Sequence, residues 1–120
     1  MLQLLFQQSR IPPRFVQNLC YAAHGWDRGI RKFCAASGLV YLGFSLLAAN
    51  RLAQACPEVA QKAKRHGRTV SQAVCRFALD VGLLPLTGTT DAGHMRLDLE
   101  VFNYHLKPEE VERIEVLAAP

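Results

Sequence analysis

The sequence has no closely spaced pair of cysteines. Cys20, Cys34, Cys56 and Cys75 stand 14, 22 and 19 positions apart, with no CxxC among them. A structural zinc site needs ligands paired over two to four residues, so this spacing argues against one. Each cysteine sits in an apolar setting, where a free thiol behaves as a small core hydrophobe. The four therefore read as buried, reduced thiols of a reducing compartment. A long hydrophobic run is also missing. The opening Met1-Leu2-Gln3-Leu4-Leu5-Phe6 gives way at once to Gln7, Gln8 and Arg10, too short for a membrane span or a signal peptide. The expectation is a soluble, cytoplasmic protein with no membrane partner. Internal repeats, low-complexity stretches and nucleic-acid recognition motifs are absent as well.

What remains is the composition of one globular domain. The 120 residues are 50% hydrophobic and 20% charged, enough apolar material for one core and too little length for two. The net charge of +4 is scattered along the chain except at Lys62, Lys64, Arg65 and Arg68. That group falls at a helix end, where cations complement the helix dipole and sit in solvent, so no nucleic-acid partner is expected.

Leu2, Leu5 and Phe6 recur at helical spacing until Ile11-Pro12-Pro13 stops them, so the sequence opens in a short helix and reads as if it starts mid-domain. Arg14 to Asn18 is a short extended run, a first strand. Asp27 is placed to cap a helix reaching about Ser37, with Ile30, Phe33 and Cys34 on one face and Gly38 closing it. Leu39 to Ser45 is a near-continuous apolar run of the kind parallel strands show when buried on both faces. Pro57 suits a first helical position, before an apolar stripe of Val59, Ala60 and Ala63. Thr69-Val70-Ser71-Gln72 has the form of a capping box, opening a helix to about Val81 with Val74, Phe77, Ala78 and Val81 inward and Gly82 at its end. Leu83 to Leu86 is a third strand. Helices follow from about Ala92 to Glu100 and from Pro108, the latter with Glu109 and Glu110 in its first turn and Val111, Ile114 and Leu117 inward. The order β, α, β, α, α, β, α, α predicts an α/β fold with a parallel sheet, or part of a barrel.

In such a fold, ligands bind at the C-terminal ends of the strands. Gly88-Thr89-Thr90-Asp91 is a small-residue turn feeding a helix N-terminus after an apolar strand, where outward amides and the positive end of the helix dipole suit a phosphate. The same residue types also serve simply to cap helices. Gln17 and Ser45, at the ends of the first two strands, project toward the same face. Phe44 is suited to stack on a flat heterocycle, although an aromatic at this spacing also serves as plain core. His94, on the first turn after Gly88, can reach a phosphate or stand exposed on its helix.

Val16-Gln17-Asn18, Tyr41-Leu42-Gly43-Phe44-Ser45-Leu46-Leu47, Thr69-x-x-Gln72 with Arg76-Phe77-Ala78-Leu79, and Pro85-Leu86-Thr87-Gly88-Thr89 together resemble the second half of the aldo-keto reductases. His94-Met95-x-x-Asp98-Leu99 and Leu106-Lys107-Pro108-Glu109-Glu110-Val111 continue the resemblance over nearly the whole sequence. It implies the last three parallel strands, with their helices, of a (β/α)8 TIM barrel, and an NAD(P)-dependent reductase of aldehydes and ketones. By resemblance Gln17 bonds the nicotinamide carboxamide, Phe44 stacks on the nicotinamide ring, and Ser45 and Leu47 follow the pyrophosphate. Thr89 matches a serine that meets the adenosine phosphate, Gly88 and Thr90 flank it, and Asp98 falls where an adenine-contacting asparagine is common. NADP(H) is the cofactor this implies. NAD(H) is the alternative, because Gly88 and His94 stand where a lysine and an arginine often hold the 2′-phosphate.

The family's catalytic Asp, Tyr, Lys and His belong to earlier strands of the barrel, and no Tyr or His here occupies their places. The resemblance therefore implies a cofactor-binding C-terminal half that is inactive alone and needs a complementary chain or self-association. A non-catalytic nucleotide- or partner-binding module is the alternative. Trp26, in the loop after the first strand, is a candidate to line the substrate pocket, or else a packing aromatic at a helix start.

Overall fold

The structure, a computed structural model, describes residues 1–117. Three strands, β1 (Phe15–Leu19), β2 (Val40–Phe44) and β3 (Leu83–Pro85), form one parallel sheet in the order β1-β2-β3. The register sets Gln17 beside Leu42, Leu19 beside Phe44, and Leu42 beside Leu84. Among the described residues seven α-helices accompany it: α1 (Leu2–Gln8), α2 (Arg28–Ser37), α3 (Arg51–Gln54), α4 (Pro57–Arg65), α5 (Val70–Asp80), α6 (Ala92–Glu100) and α7 (Pro108–Val116). None is long and apolar enough to cross a membrane.

The expectation that β2 is buried on both faces is corrected. Its side chains alternate, with Tyr41 and Gly43 buried while Val40 and Phe44 are exposed. Helices cover one face of the sheet. The other carries Phe15, Val40, Phe44 and Leu84 at 66%, 40%, 37% and 42% exposure. Side chains alternate along a strand, so a sheet covered on one side leaves every second apolar residue open.

α5 is the helix around which the rest is arranged. Thr69 and Gln72 form the predicted capping box, with Gln72 N donating to Thr69 Oγ1 at 3.1 Å and Thr69 N donating to Gln72 Oε1 at 3.0 Å. Every residue from Gln72 to Ala78 is buried, so the helix packs on nearly its whole circumference rather than along one stripe.

One further expectation is revised, at Asp27, and one open alternative is decided, at Trp26. Asp27 stands at the N-cap of α2, but its φ of 57° is left-handed and its side chain caps nothing. Its carboxylate instead accepts from Asn18 Nδ2 at 2.8 Å and the Tyr41 hydroxyl at 2.5 Å, pinning the loop to the covered face of β1 and β2. Trp26 is core, at 1% exposure, and is not among the residues lining the groove beside the strand ends. The positive φ run of Gly25, Trp26 and Asp27 turns the indole inward, against Phe77 at 5.0 Å between ring centroids. Its Nε1 donates to the Ile114 carbonyl at 3.2 Å. Buried Arg31 locks the same turn: its Nε donates to the Trp26 carbonyl at 2.7 Å, its Nη1 to the Val81 carbonyl at 3.2 Å, and its Nη2 to Glu115.

The cationic end of α4 is where the sequence placed it, with Lys62, Lys64 and Arg65 in the last turn. Glu110 does more than complement a dipole, because it is buried and accepts an ion pair from Arg65 at 2.8 Å and a contact from His66 at 2.8 Å, joining α7 to α4. Cys20, Cys34 and Cys75 are buried and Cys56 is partly exposed, all as free thiols. Burial pushes the Cys20 thiol up to about 11 and Cys75 up to about 12, which keeps them protonated and unreactive near neutrality.

Asp80 closes α5. Burial by itself would raise its pKa, but Arg76 Nε at 3.0 Å and Nη2 at 2.6 Å, the Leu106 amide at 3.1 Å and His105 at 3.3 Å outweigh that and hold the carboxyl below its ordinary 3.8. A depressed carboxyl pKa contributes stability above the unfolded value and loses it as pH falls through the folded value. Asp80→Asn is therefore expected to destabilise the chain by about 1–3 kcal/mol at pH 7 and to flatten the acid limb of its stability below about pH 4. Urea denaturation of both forms across pH 2–7 measures this, and an unchanged acid limb would show that Asp80 is not the titrating group.

Candidate functional site

In a parallel sheet the C-terminal strand ends lie along one edge, so the loops after β1, β2 and β3 gather there. α5 runs back toward β3 and therefore begins at the same edge. Between the loop after β2, the start of α5, the segment after β3 and the first turns of α6 lies an open groove of about 550 Å³. Ser45, Leu47, Gly88, Thr89, His94 and Asp98, all named from the sequence, line it together.

Three other named residues stand outside this groove. Gln17 and Phe44 lie on the open face of the sheet, in the same set as Leu19 and Leu42 by register. Phe44 adjoins the groove through Ser45, and Thr90 is exposed beyond its wall. Thr69, Ser71 and Gln72 line the groove and were read from the sequence only as helix-start residues. A signal was available, because a helix that precedes a parallel strand must start at the edge where the strands end. Leu46, Leu86 and Leu97 add apolar wall, which carried no sequence mark distinguishing it from core.

Local geometry shapes the entry. Ser45 has a φ of 52°, a left-handed conformation that costs of order 1 kcal/mol or more in a non-glycine residue and turns the chain out of β2 into the groove wall. Behind it Asn50, buried at 4% exposure, holds two loops together. Its Oδ1 accepts from the Ala22 amide at 2.6 Å, while its Nδ2 donates to the Cys20 and Leu46 carbonyls, both at 2.7 Å.

The start of α6 is occupied by its own cap. Asp91 Oδ1 accepts from the His94 amide at 2.9 Å, and that bond, followed by the His94 side chain, holds the Asp91 carboxyl below its ordinary value. Thr89 Oγ1 accepts from the Asp91 amide at 3.1 Å and lies 3.5 Å from His94 Nδ1. The groove is thus furnished with hydroxyls from Ser45, Ser71, Thr87 and Thr89, a carboxylate from Asp98, and apolar walls. Among the described residues no three His, Cys, Asp or Glu side chains gather as a metal site.

None of the three tyrosines is among the groove-lining residues. Tyr41 is buried on the covered face and donates to Asp27, and burial followed by that hydrogen bond raises its pKa. Burial pushes the Tyr104 phenol up to about 12, and its hydroxyl has no partner among the described residues.

Residues 2–119 match the family described as aldo/keto reductase. The chain is 29% identical over 120 residues to deoxymugineic acid synthase 1 of Zea mays, covering 94% of this chain and 38% of that protein. Among solved structures, an aldo/keto reductase from Brucella melitensis superposes with a TM-score of 0.81 at 17% identity, covering 95% of this chain and 43% of that one. An aldo-keto reductase complexed with NADPH superposes with a TM-score of 0.83 at 16% identity, covering 95% and 38%. The chain thus spans well under half the length of these relatives, and its three strands with their helices correspond to part of their barrels.

Asn50→Ala leaves a buried amide and two carbonyls without their partner. It is expected to cost about 1–3 kcal/mol and to speed hydrogen exchange at Ala22 and along residues 46–49, read by denaturation and exchange mass spectrometry. Exchange confined to its normal rate would show that Asn50 does not set the groove wall.

Proposed function

The chain belongs to the aldo/keto reductase family, and from that premise we propose that its groove holds a nicotinamide dinucleotide as the cofactor-binding C-terminal part of an oxidoreductase acting on aldehydes and ketones. The observation that carries this is convergence. Ser45, Gly88, Thr89 and His94, singled out by their place after strands, and Leu47 and Asp98, implied by the resemblance, come from three segments and line one groove at the sheet edge where α/β folds bind nucleotides. Ser45 and Leu47 flank the diphosphate, Thr89 meets the adenosine end, and Phe44 and Gln17, on the open face beside the groove, receive the nicotinamide. When bound, the dinucleotide supplies a hydride; the chain's own residues bind and orient it.

Proton donation to a carbonyl oxygen is not among the tasks of these residues. No tyrosine is among the groove-lining residues, Tyr41 and the Tyr104 hydroxyl are buried with raised pKa values, and carbonyl reduction needs an accessible acid. The reading is therefore of a binding half whose catalytic groups come from a complementary segment. The alternative, a non-catalytic nucleotide-binding module, is favoured by the same buried hydroxyls. The uncovered side chains Phe15, Val40 and Leu84 form the surface that a complementary half, or a second copy, would cover.

Calorimetric and thermal titration of the chain with NADH and NADPH tests the reading. A saturable response is expected, with about 2.7 kcal/mol of added stability at a ligand concentration one hundred times Kd, and no aldehyde reduction by the chain alone. A folded chain that answers to neither nucleotide would overturn the binding role, and turnover by the chain alone would overturn the division of labour. Sedimentation of the wild type against Phe15→Lys tests the uncovered face. Association is expected for the former and is weakened in the latter, whereas a monomeric, soluble wild type would show that the face needs no second copy.

A further inference from the structure

The charge on the walls of the groove carries an inference that deepens, and rests on, the nucleotide-binding reading. Neither Lys nor Arg is among the groove-lining residues, and Asp98 is a carboxylate within it. We propose that the groove selects the nicotinamide dinucleotide with a free adenosine ribose diol, NADH, over the form bearing a 2′-phosphate, NADPH, and that Asp98 and the Asp91-capped start of α6 impose the selection.

A phosphate monoester adds close to two negative charges and three acceptor oxygens near neutral pH, and proteins answer it with Arg or Lys. An ionised carboxylate can only accept. Asp98 has no hydrogen-bond or ion-pair partner among the described residues, so it is matched to the O–H groups of a diol or to an amino group and mismatched to a phosphate. A helix N-terminus is the other feature that could offset the charge. At α6 the His94 amide is already bonded to the Asp91 carboxylate at 2.9 Å, which sets a negative group where an incoming anion would otherwise find a positive one.

The neighbouring cations are engaged elsewhere or turned away. Arg68 pairs with Glu100 at 2.9 Å and lies over the Tyr104 ring at 5.0 Å, and Arg76 is held by Asp80 at 2.6 Å. Arg96, on α6 itself, does not line the groove. His94 is the one groove-lining side chain able to carry positive charge. The diphosphate is common to both nucleotides, so its binding cancels in the ratio of their affinities, and that ratio reports the ribose end alone.

Calorimetric titration of the 120-residue chain at low ionic strength measures the ratio directly. NADH is expected to bind about tenfold or more tightly than NADPH, with the gap shrinking as salt is added. Asp98→Asn is expected to narrow the ratio about threefold or more by strengthening NADPH. A side chain at Gly88 meets nothing within 4 Å of its Cβ, so Gly88→Lys can be accommodated, and it is expected to close or invert the ratio of the two affinities. Thermal denaturation of each variant without nucleotide reports that it is folded. Equal or tighter binding of NADPH by the unaltered chain would overturn the selection while leaving the nucleotide role standing. A ratio unmoved by Asp98→Asn would remove Asp98 from it, and binding of neither nucleotide would overturn both readings.

Discussion

Parallel pairing of β1, β2 and β3 is the constraint from which the rest of this structure follows. Parallel strands cannot be joined by tight turns, so each connection has to cross back through a helix. The strand ends then all face one way, and the loops carrying Ser45, Gly88 and Thr89 are delivered to one edge without any attraction between them. The start of α5 arrives at that edge for the same reason. The groove is therefore a consequence of topology before it is a matter of particular side chains.

What keeps the edge in shape is a small set of buried polar groups. Asn50 ties the loop after β1 to the loop after β2, Asp27 ties the former to the covered face of the sheet, and Arg31 ties the turn at Trp26 to the end of α5 and to α7. Each makes several hydrogen bonds at once, which is the condition under which a buried polar group stabilises rather than costs. These three also explain why the loops can adopt left-handed backbone at Trp26, Asp27 and Ser45, since strain of that kind persists only where the surroundings over-determine it.

The two faces of the sheet are energetically unlike. The covered face packs Tyr41, Gly43 and Leu83 against helices, with Gly43 leaving room for the Leu83 side chain, which would lie 2.9 Å from an added Cβ. The open face presents Phe15, Val40, Phe44 and Leu84. In the matched family, of which this chain spans a part, such a face looks into a barrel interior filled by side chains.

The sequence by itself determined the helices and strands, through periodicity, Pro12-Pro13, Gly38, Gly82 and the capping box at Thr69, because those signals act over one or two turns of chain. It also marked part of the groove, at Ser45, Gly88, Thr89 and His94, since polar residues immediately after apolar strands are conspicuous. It misjudged β2, because an apolar run looks the same whether one face or both are covered. It left open whether Trp26 was core or pocket wall, and it assigned Asp27 to a cap, because a left-handed turn that sends an indole inward and a carboxylate toward Tyr41 is decided by partners far along the chain. Only the tertiary structure brought α5's first turn into the groove and revealed that Asp91 fills the start of α6, for both depend on which backbone donors remain free after folding.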